Sequence, residues 1–263
     1  MHISKCDIME EIEILEYKEM DLSESMVLVA FPTVGMISSI AGNYIIDTLK
    51  LKEIGSIISR YFSPTAIIHK SLASPPVRIY AGNKNCGPDG SCEQIVVIIS
   101  EFMPPLEIIQ PLAEKILRWA DQKKVKIITA LEGTHALGNQ EKKKFNVHGI
   151  GSTPEMKKFL DNYDIDQTKE GMITGVTGVL LYKAVLEKRD VICLLSEAHE
   201  TYPDSRSAAS LVKKLDIILP GIKIDPEPLY NEAEKIEANI KKFLEQSKPT
   251  APALPKTPMY MYG

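Results

Sequence analysis

Three runs of strand-forming residues end alike, in Ile99-Ser100-Glu101, Ala130-Leu131-Glu132 and Leu195-Ser196-Glu197. In open α/β sheets ligands bind beyond the carboxyl ends of the strands. Glu101, Glu132 and Glu197, with His135 and His199 close in sequence, are therefore the constellation from which a small-molecule or metal pocket could be built. Acidic residues in that position also cap the next helix or hold a turn. Each histidine stands alone rather than paired at H-x3-H spacing, so neither points to a metal centre. Cys86 and Cys92 flank Gly87 to Ser91 at what reads as a hairpin tip. Two loop thiols, a disulfide or half of a metal site are all compatible with that spacing, but no CxxC pair supports zinc.

Thr174-Gly175-Val176-Thr177-Gly178 has glycines before a helix. It lacks the Gly-Lys-Ser/Thr of a phosphate loop and does not match G-x-G-x-x-G. Close packing of a helix amino end against the sheet accounts for the glycines, with anion binding there as the alternative. No serine or cysteine sits in a nucleophile-elbow pattern. Neither a cofactor nor a metal is expected.

The other chemistry-bearing stretch is the carboxyl end. Pro249, Pro252, Pro255 and Pro258 recur at three-residue spacing, which is the turn of a polyproline II helix. Such a segment lacks backbone donors at its prolines and has little apolar bulk to bury, so it should project as a semi-rigid spacer. At its tip are Met259, Tyr260, Met261, Tyr262 and Gly263: two thioethers, two phenols and a carboxylate. A stiff spacer lowers the entropy lost when an exposed aromatic end docks into a pocket on a partner.

These groups sit on a chain of 263 residues that is 44% hydrophobic and 25% charged, with room for one large or two small cores. A net charge of -4 argues against a surface built to collect phosphates. Lys142-Lys143-Lys144 is preceded by Glu141 and reads as a solvated loop or helix end, so no nucleic-acid partner is expected. No apolar run approaches the length of a membrane span, and the amino end has no basic region leading into an apolar one. A cytoplasmic protein without a membrane partner is the expectation.

Ile8 to Lys18 reads as an edge strand. Met26 to Phe31 is continuously apolar, as in a strand buried on both faces of a parallel sheet. A helix from Met36 to Leu49 should follow. Between Glu53 and Tyr80 three β-rich runs predict three strands, the last forming a hairpin with Gln94 to Ser100. Pro104 and Pro105 open a helix that Trp119 closes, and a strand follows from Val125 to Leu131. A polar stretch starts at Glu132, and Asn146 to Ile150 offers a short strand. Ser152 to Glu155 starts a helix, and another runs through Leu180 and Leu186. The strand Val191 to Ser196 leads to a loop from Glu197, and Asp204 caps a helix from Ser205 to Leu215. Alternating strands and helices predict an α/β fold with a mostly parallel central sheet and flanking helices. Glu227 to Gln246 reads as a terminal amphipathic helix. The expected organisation is an α/β body over residues 1–222, a helical segment over 223–247 and a proline-rich tail over 248–263.

Phe31-Pro32-Thr33-Val34-Gly35-Met36, Ile173 to Leu181, and Tyr202-Pro203-Asp204-Ser205-Arg206-Ser207-Ala208-Ala209 together resemble the archaeal branch of the proteasome assembly chaperone family, of the chaperone 2-like kind. The resemblance extends over about Met26 to Leu219. It implies a body similar in outline to nucleoside-phosphorylase-like folds, assembly into homo-oligomers and handling of 20S proteasome α-subunits. It implies no enzyme: the lysine, glycine-rich loop and metal-carboxylate pattern of ATP-grasp chemistry is missing. Met261-Tyr262-Gly263 also matches the hydrophobic-tyrosine-any residue ending with which proteasome activators dock between α-subunits. By that likeness Met261 fills an apolar slot, Tyr262 hydrogen-bonds at the pocket wall and the Gly263 carboxylate pairs with a lysine. From another class, a nucleoside-type enzyme would use Glu101, Glu132 and Glu197.

Overall fold

The continuously apolar run at the head of the chain forms strand β2 (Met26–Ala30), and all of its residues are buried. The computed structural model describes residues 11–69, 71–83, 85–86, 92–135, 146–198, 202–219 and 221–234. Around β2 these form one eight-stranded sheet in the order β1-β3-β6-β9-β2-β10-β12-β11. Its members are β1 (Ile12–Glu16), β3 (Lys52–Ser59), β6 (Val77–Ala81), β9 (Ile95–Ser100), β10 (Ile127–His135), β11 (Val147–Gly151) and β12 (Val191–Ala198). β9, β2, β10 and β12 run parallel and make the centre. β6, β3 and β1 extend one side by antiparallel pairing, and β11 closes the other.

Central strands buried on both faces require helices on both faces. On one, α2 (Leu106–Gln122) and α4 (Gly175–Glu187) cover Val27, Val29, Val96, Ile98, Ala130 and Cys193. On the other, α1 (Ile37–Thr48) and α5 (Ser205–Ile218) cover Leu28, Ala30, Val97, Ile99, Leu131 and Leu194. α3 (Pro154–Asn162) packs beside β11, and the Thr153 hydroxyl caps it by accepting from Met156 N–H at 3.2 Å. The α/β architecture, its parallel centre and the β6–β9 hairpin are as expected from the sequence.

Four local expectations change. Between Glu53 and Tyr80 there are four strands rather than three, because β4 (Ile67–His69) folds back on β5 (Leu72–Ser74). The turn between them uses Ser71 at φ 65°, without the glycine or proline that would mark it in sequence. β10 does not stop at Leu131: Thr134 pairs with Glu197 and His135 with Ala198, so the polar Glu132 to His135 is strand. For the same reason Glu197 lies within β12 rather than in the following loop. Trp119 does not close α2, which runs on to Gln122. Its indole N–H donates to Glu16 Oε1 at 2.8 Å, tying the helix to the edge strand.

Residues 227–234 are helical, at the start of the expected terminal helix. The rest of that helix and the proline-rich tail lie outside the described residues. Among the described residues, no helix is long and apolar enough to cross a membrane.

Candidate functional site

The carboxyl ends of β9, β10 and β12 do reach the same edge of the sheet, but their carboxylates separate. Along a strand successive side chains alternate between faces. Glu132 stands two residues after Ala130, and Glu197 two after Leu195, which places both on the α2/α4 face. Glu101 stands two residues after Ile99, on the α1/α5 face, where it lines a cleft with Asn43 and Asp47 of α1. The sheet therefore lies between Glu101 and the other two. His135 ends β10 and is exposed, and His199 lies outside the described residues. Among the described residues no group of histidine, cysteine, aspartate or glutamate side chains could hold a metal ion.

Glu132 is tied to the start of α4. Burial pushes its carboxyl up to about 7, against the lowering effect of hydrogen bonds from the Thr177 hydroxyl and the Gly133 backbone. Thr174, the residue at the α4 N-cap, makes no side-chain cap bond of its own. A side chain of the neighbouring strand thus accepts from a hydroxyl in the first turn of α4. Burial, and then the Glu132 carboxylate, hold the Cys193 thiol well above its ordinary range, so this cysteine is inert at neutral pH.

The three stretches that carry the family resemblance meet around these strand ends. In the first, Gly35 and Met36 both adopt left-handed φ, at 63° and 53°. That turn presents the Gly35 carbonyl to Asp204 N–H of the third stretch at 2.8 Å. It also lays the Val34 carbonyl against Gly133 so closely that a methyl group there would sit 2.3 Å from the oxygen. In the second stretch, a methyl group on Gly178 would lie 2.5 Å from the Ile173 carbonyl oxygen. The close packing that accounts for this glycine is against Ile173, just before α4, rather than against the sheet. In the third, Asp204 caps α5 by accepting from Ser207 N–H at 2.9 Å. The Ser207 hydroxyl lies 2.6 Å from the Glu197 carbonyl oxygen and 2.7 Å from Asp204 Oδ2. These polar groups bond to one another and to the backbone. The arrangement braces the strand ends.

Cys86 and Cys92 are opposite one another in the short β7–β8 ladder (Asn85–Cys86 and Cys92–Glu93), on either side of the hairpin tip expected from the sequence. One site was not legible as such. Arg78, in the middle of β6, is buried with 3% exposure and ion-paired to Glu101. Its place between Val77 and Ile79 marks it as facing away from them, but only the folded chain shows that the β4–β5 hairpin and α1 border that face. Met259, Tyr260, Met261, Tyr262 and Gly263 lie outside the described residues.

Comparison with known proteins adds the following. The model of the PAC2 family matches residues 27–244. The uncharacterized protein MJ0106 of Methanocaldococcus jannaschii is 31% identical over 255 residues, which cover 97% of this chain and 100% of that one. Among solved structures, Pyrococcus furiosus PbaA, an archaeal homolog of proteasome-assembly chaperone, superposes with a TM-score of 0.77 at 27% identity, covering 90% of this chain and 92% of its own. Pyrococcus furiosus PbaB, an archaeal proteasome activator, shares the fold at a TM-score of 0.77 and 20% identity, covering 89% of this chain and 99% of its own.

Proposed function

From the premise that this chain belongs to the PAC2 family, we propose that it is a non-enzymatic proteasome assembly chaperone homologue or ATP-independent activator. In this role it binds 20S proteasome α-subunits or the α-ring through its carboxyl end, as a homo-oligomer in the cytoplasm. The observation that carries the proposal is the family match over the body together with Met261-Tyr262-Gly263 behind a proline spacer. PbaA, with which the chain shares 27% identity, is a homolog of proteasome-assembly chaperone, and PbaB is a proteasome activator.

The division of labour follows from the chemistry of each part. In this reading residues 1–222 form the body, 223–247 the helical segment, whose Ile224 and Leu229 pack into the body's core, and 248–263 the tail. Sixteen residues of polyproline II from Lys248 reach roughly 50 Å, at about 3.1 Å each, enough to span from a platform to a ring surface. Met261 fills an apolar slot, and Tyr262 brings a large contact area with two torsions to freeze. The Gly263 carboxylate makes a charge-assisted contact with a lysine. Tyr260 and Met259 pack behind them.

Self-association is supported by α4. Tyr182, Val185 and Leu186 on this helix remain exposed, at 43%, 57% and 73%, although its other side is in the core. A helix that is apolar nearly all round is ordinarily covered on all sides. Covering this one with a second copy would bring several tails together, and several weak tails on one assembly gain avidity if their spacers reach neighbouring pockets. Against a nucleoside-type enzyme counts the placement of Glu101 on one face of the sheet and of Glu132 and Glu197 on the other. A pull-down with recombinant α-subunits tests the proposal. The full chain should capture them, and deleting Met261 to Gly263 or extending the carboxyl end with a tag should abolish capture. Undiminished capture by both would refute the assignment.

A further inference from the structure

Arg78 is held between Ser56 of β3 and Ile99 of β9 in the ladder. Its Nη2 donates to Glu101 Oε1, whereas among the described residues Nε and Nη1 have no hydrogen-bond partner, and neither has Glu101 Oε2. Buried polar groups in folded proteins are almost always bonded. A guanidinium, unlike a lysine or a carboxylate, cannot relieve the deficit by changing protonation. The guanidinium carbon lies 5.9 Å from the centre of the Tyr80 ring, a contact that leaves those donors unsatisfied.

Arg78 lines a cleft of about 430 Å³ between the carboxyl-terminal half of α1, β3 and the β4–β5 hairpin. That volume falls in the range of small-molecule sites, roughly 300–1,000 Å³. Among the described residues the other charged groups of the cleft are Lys50, Asp47, Glu53 and Glu101. Tyr80 donates from its hydroxyl to Glu53 Oε2 at 3.3 Å. Two cations thus face three carboxylates. An inorganic anion would meet the carboxylates, and a simple cation would meet a guanidinium that stays charged. A molecule carrying both charges satisfies both sides.

We propose that the cleft beneath the β4–β5 hairpin binds a small zwitterion of the amino-acid class, its carboxylate on the Arg78 guanidinium and its ammonium toward Glu101, Glu53 and Asp47. Bidentate capture of a carboxylate suits the planar fork of arginine. Glu101 Oε2 supplies an acceptor for the ammonium. Lys50, exposed at the rim, adds attraction for the carboxylate.

Calorimetric titration of the full chain tests this, with L-lysine, 6-aminohexanoate, cadaverine, acetate and inorganic phosphate as separate probes. L-lysine and 6-aminohexanoate should bind saturably at one site per chain, and the three single-sign probes should not. Glu53→Gln and Lys50→Met, both at the accessible side of the cleft, should each weaken binding about tenfold, the effect expected of one charge-assisted contact, while leaving the melting temperature of the free protein unchanged. Arg78→Lys keeps the charge but removes the fork and should abolish binding; if that variant fails to fold, the two rim variants decide. No saturable heat from either amino acid, equal binding of acetate or phosphate, or affinities unchanged in both rim variants would overturn the proposal. No proteasome component enters the experiment, so its failure leaves the α-ring assignment untouched.

Discussion

Beneath the carboxyl ends of β10 and β12 and beneath the β4–β5 hairpin, the protein holds charge away from water in two ways. Glu132 accepts hydrogen bonds from Thr177 and Gly133 and can take up a proton, because burial has already pushed it up to about 7. Arg78 can do neither. It keeps its charge, among the described residues with one ion pair to Glu101 and two nitrogens unpartnered. The first region is closed within the fold: its serines, threonines, aspartate and glycines bond or pack against one another. The second remains incomplete among the described residues and borders a cleft. Polar residues at strand ends are therefore poor indicators of a site by themselves, and the decisive property is whether their bonding is completed within the chain.

Substitutions can sharpen that contrast, beginning with the largest effect. Glu101→Leu leaves the Arg78 charge buried and uncompensated, and should lower the unfolding free energy by about 3–5 kcal/mol in denaturant titration. Pairing it with Arg78→Met should recover most of that loss; a double-variant loss equal to the sum of the two single-variant losses would mean the pair is not coupled. Gly133→Ala places a methyl group against the Val34 carbonyl, and backbone must move. A loss of about 2–3 kcal/mol is expected, read as a drop in melting temperature.

Glu132→Gln probes the closed region through pH. The folded-state value of about 7 is raised above the ordinary 4.5, so between these values the folded chain holds a proton that the unfolded chain has released. The stability from Glu132 is complete below about pH 4.5 and is lost as pH rises through 7, at no more than about 1.4 kcal/mol per pH unit. Between pH 5 and pH 8 the glutamine variant should gain on wild type by about 1–2 kcal/mol, after allowance for partial solvent access. A parallel pH profile for the two proteins would show that Glu132 keeps its charge. Smallest is Asp204→Ala, which removes the α5 cap and should cost about 1 kcal/mol, measured by thermal melting.

The sequence made the parallel centre of the sheet readable because burial on both faces forces a continuous apolar run, as in Met26–Ala30 and Ile95–Ser100. Helices with one buried face were readable by the spacing of their apolar residues. What could not be read depended on partners distant in the chain. Glu132 to His135 looks like a loop until β12 supplies its ladder sixty-odd residues later. Leu72–Ser74 is a strand only because β4 pairs with it around a serine in a left-handed turn. Arg78 reads as the outward position of an alternating strand, and the cleft over it is bordered by a hairpin whose turn carries no signal. The three stretches that carried the family resemblance were visible as patterns, but their mutual bonding through Asp204, Gly35 and Gly133 belongs to the fold. Residues 259–263, which carry the docking assignment, were identified from residue types alone.

The central claim concerns that tail, and equilibrium binding of the assembled protein to isolated α-rings tests it most directly. Wild type should bind saturably. Deletion of Met261 to Gly263 should reduce affinity at least a hundredfold, about 2.8 kcal/mol by the tenfold-per-1.4 kcal/mol relation, without changing the melting temperature or the size of the protein in solution. An affinity unchanged by the deletion would contradict the account.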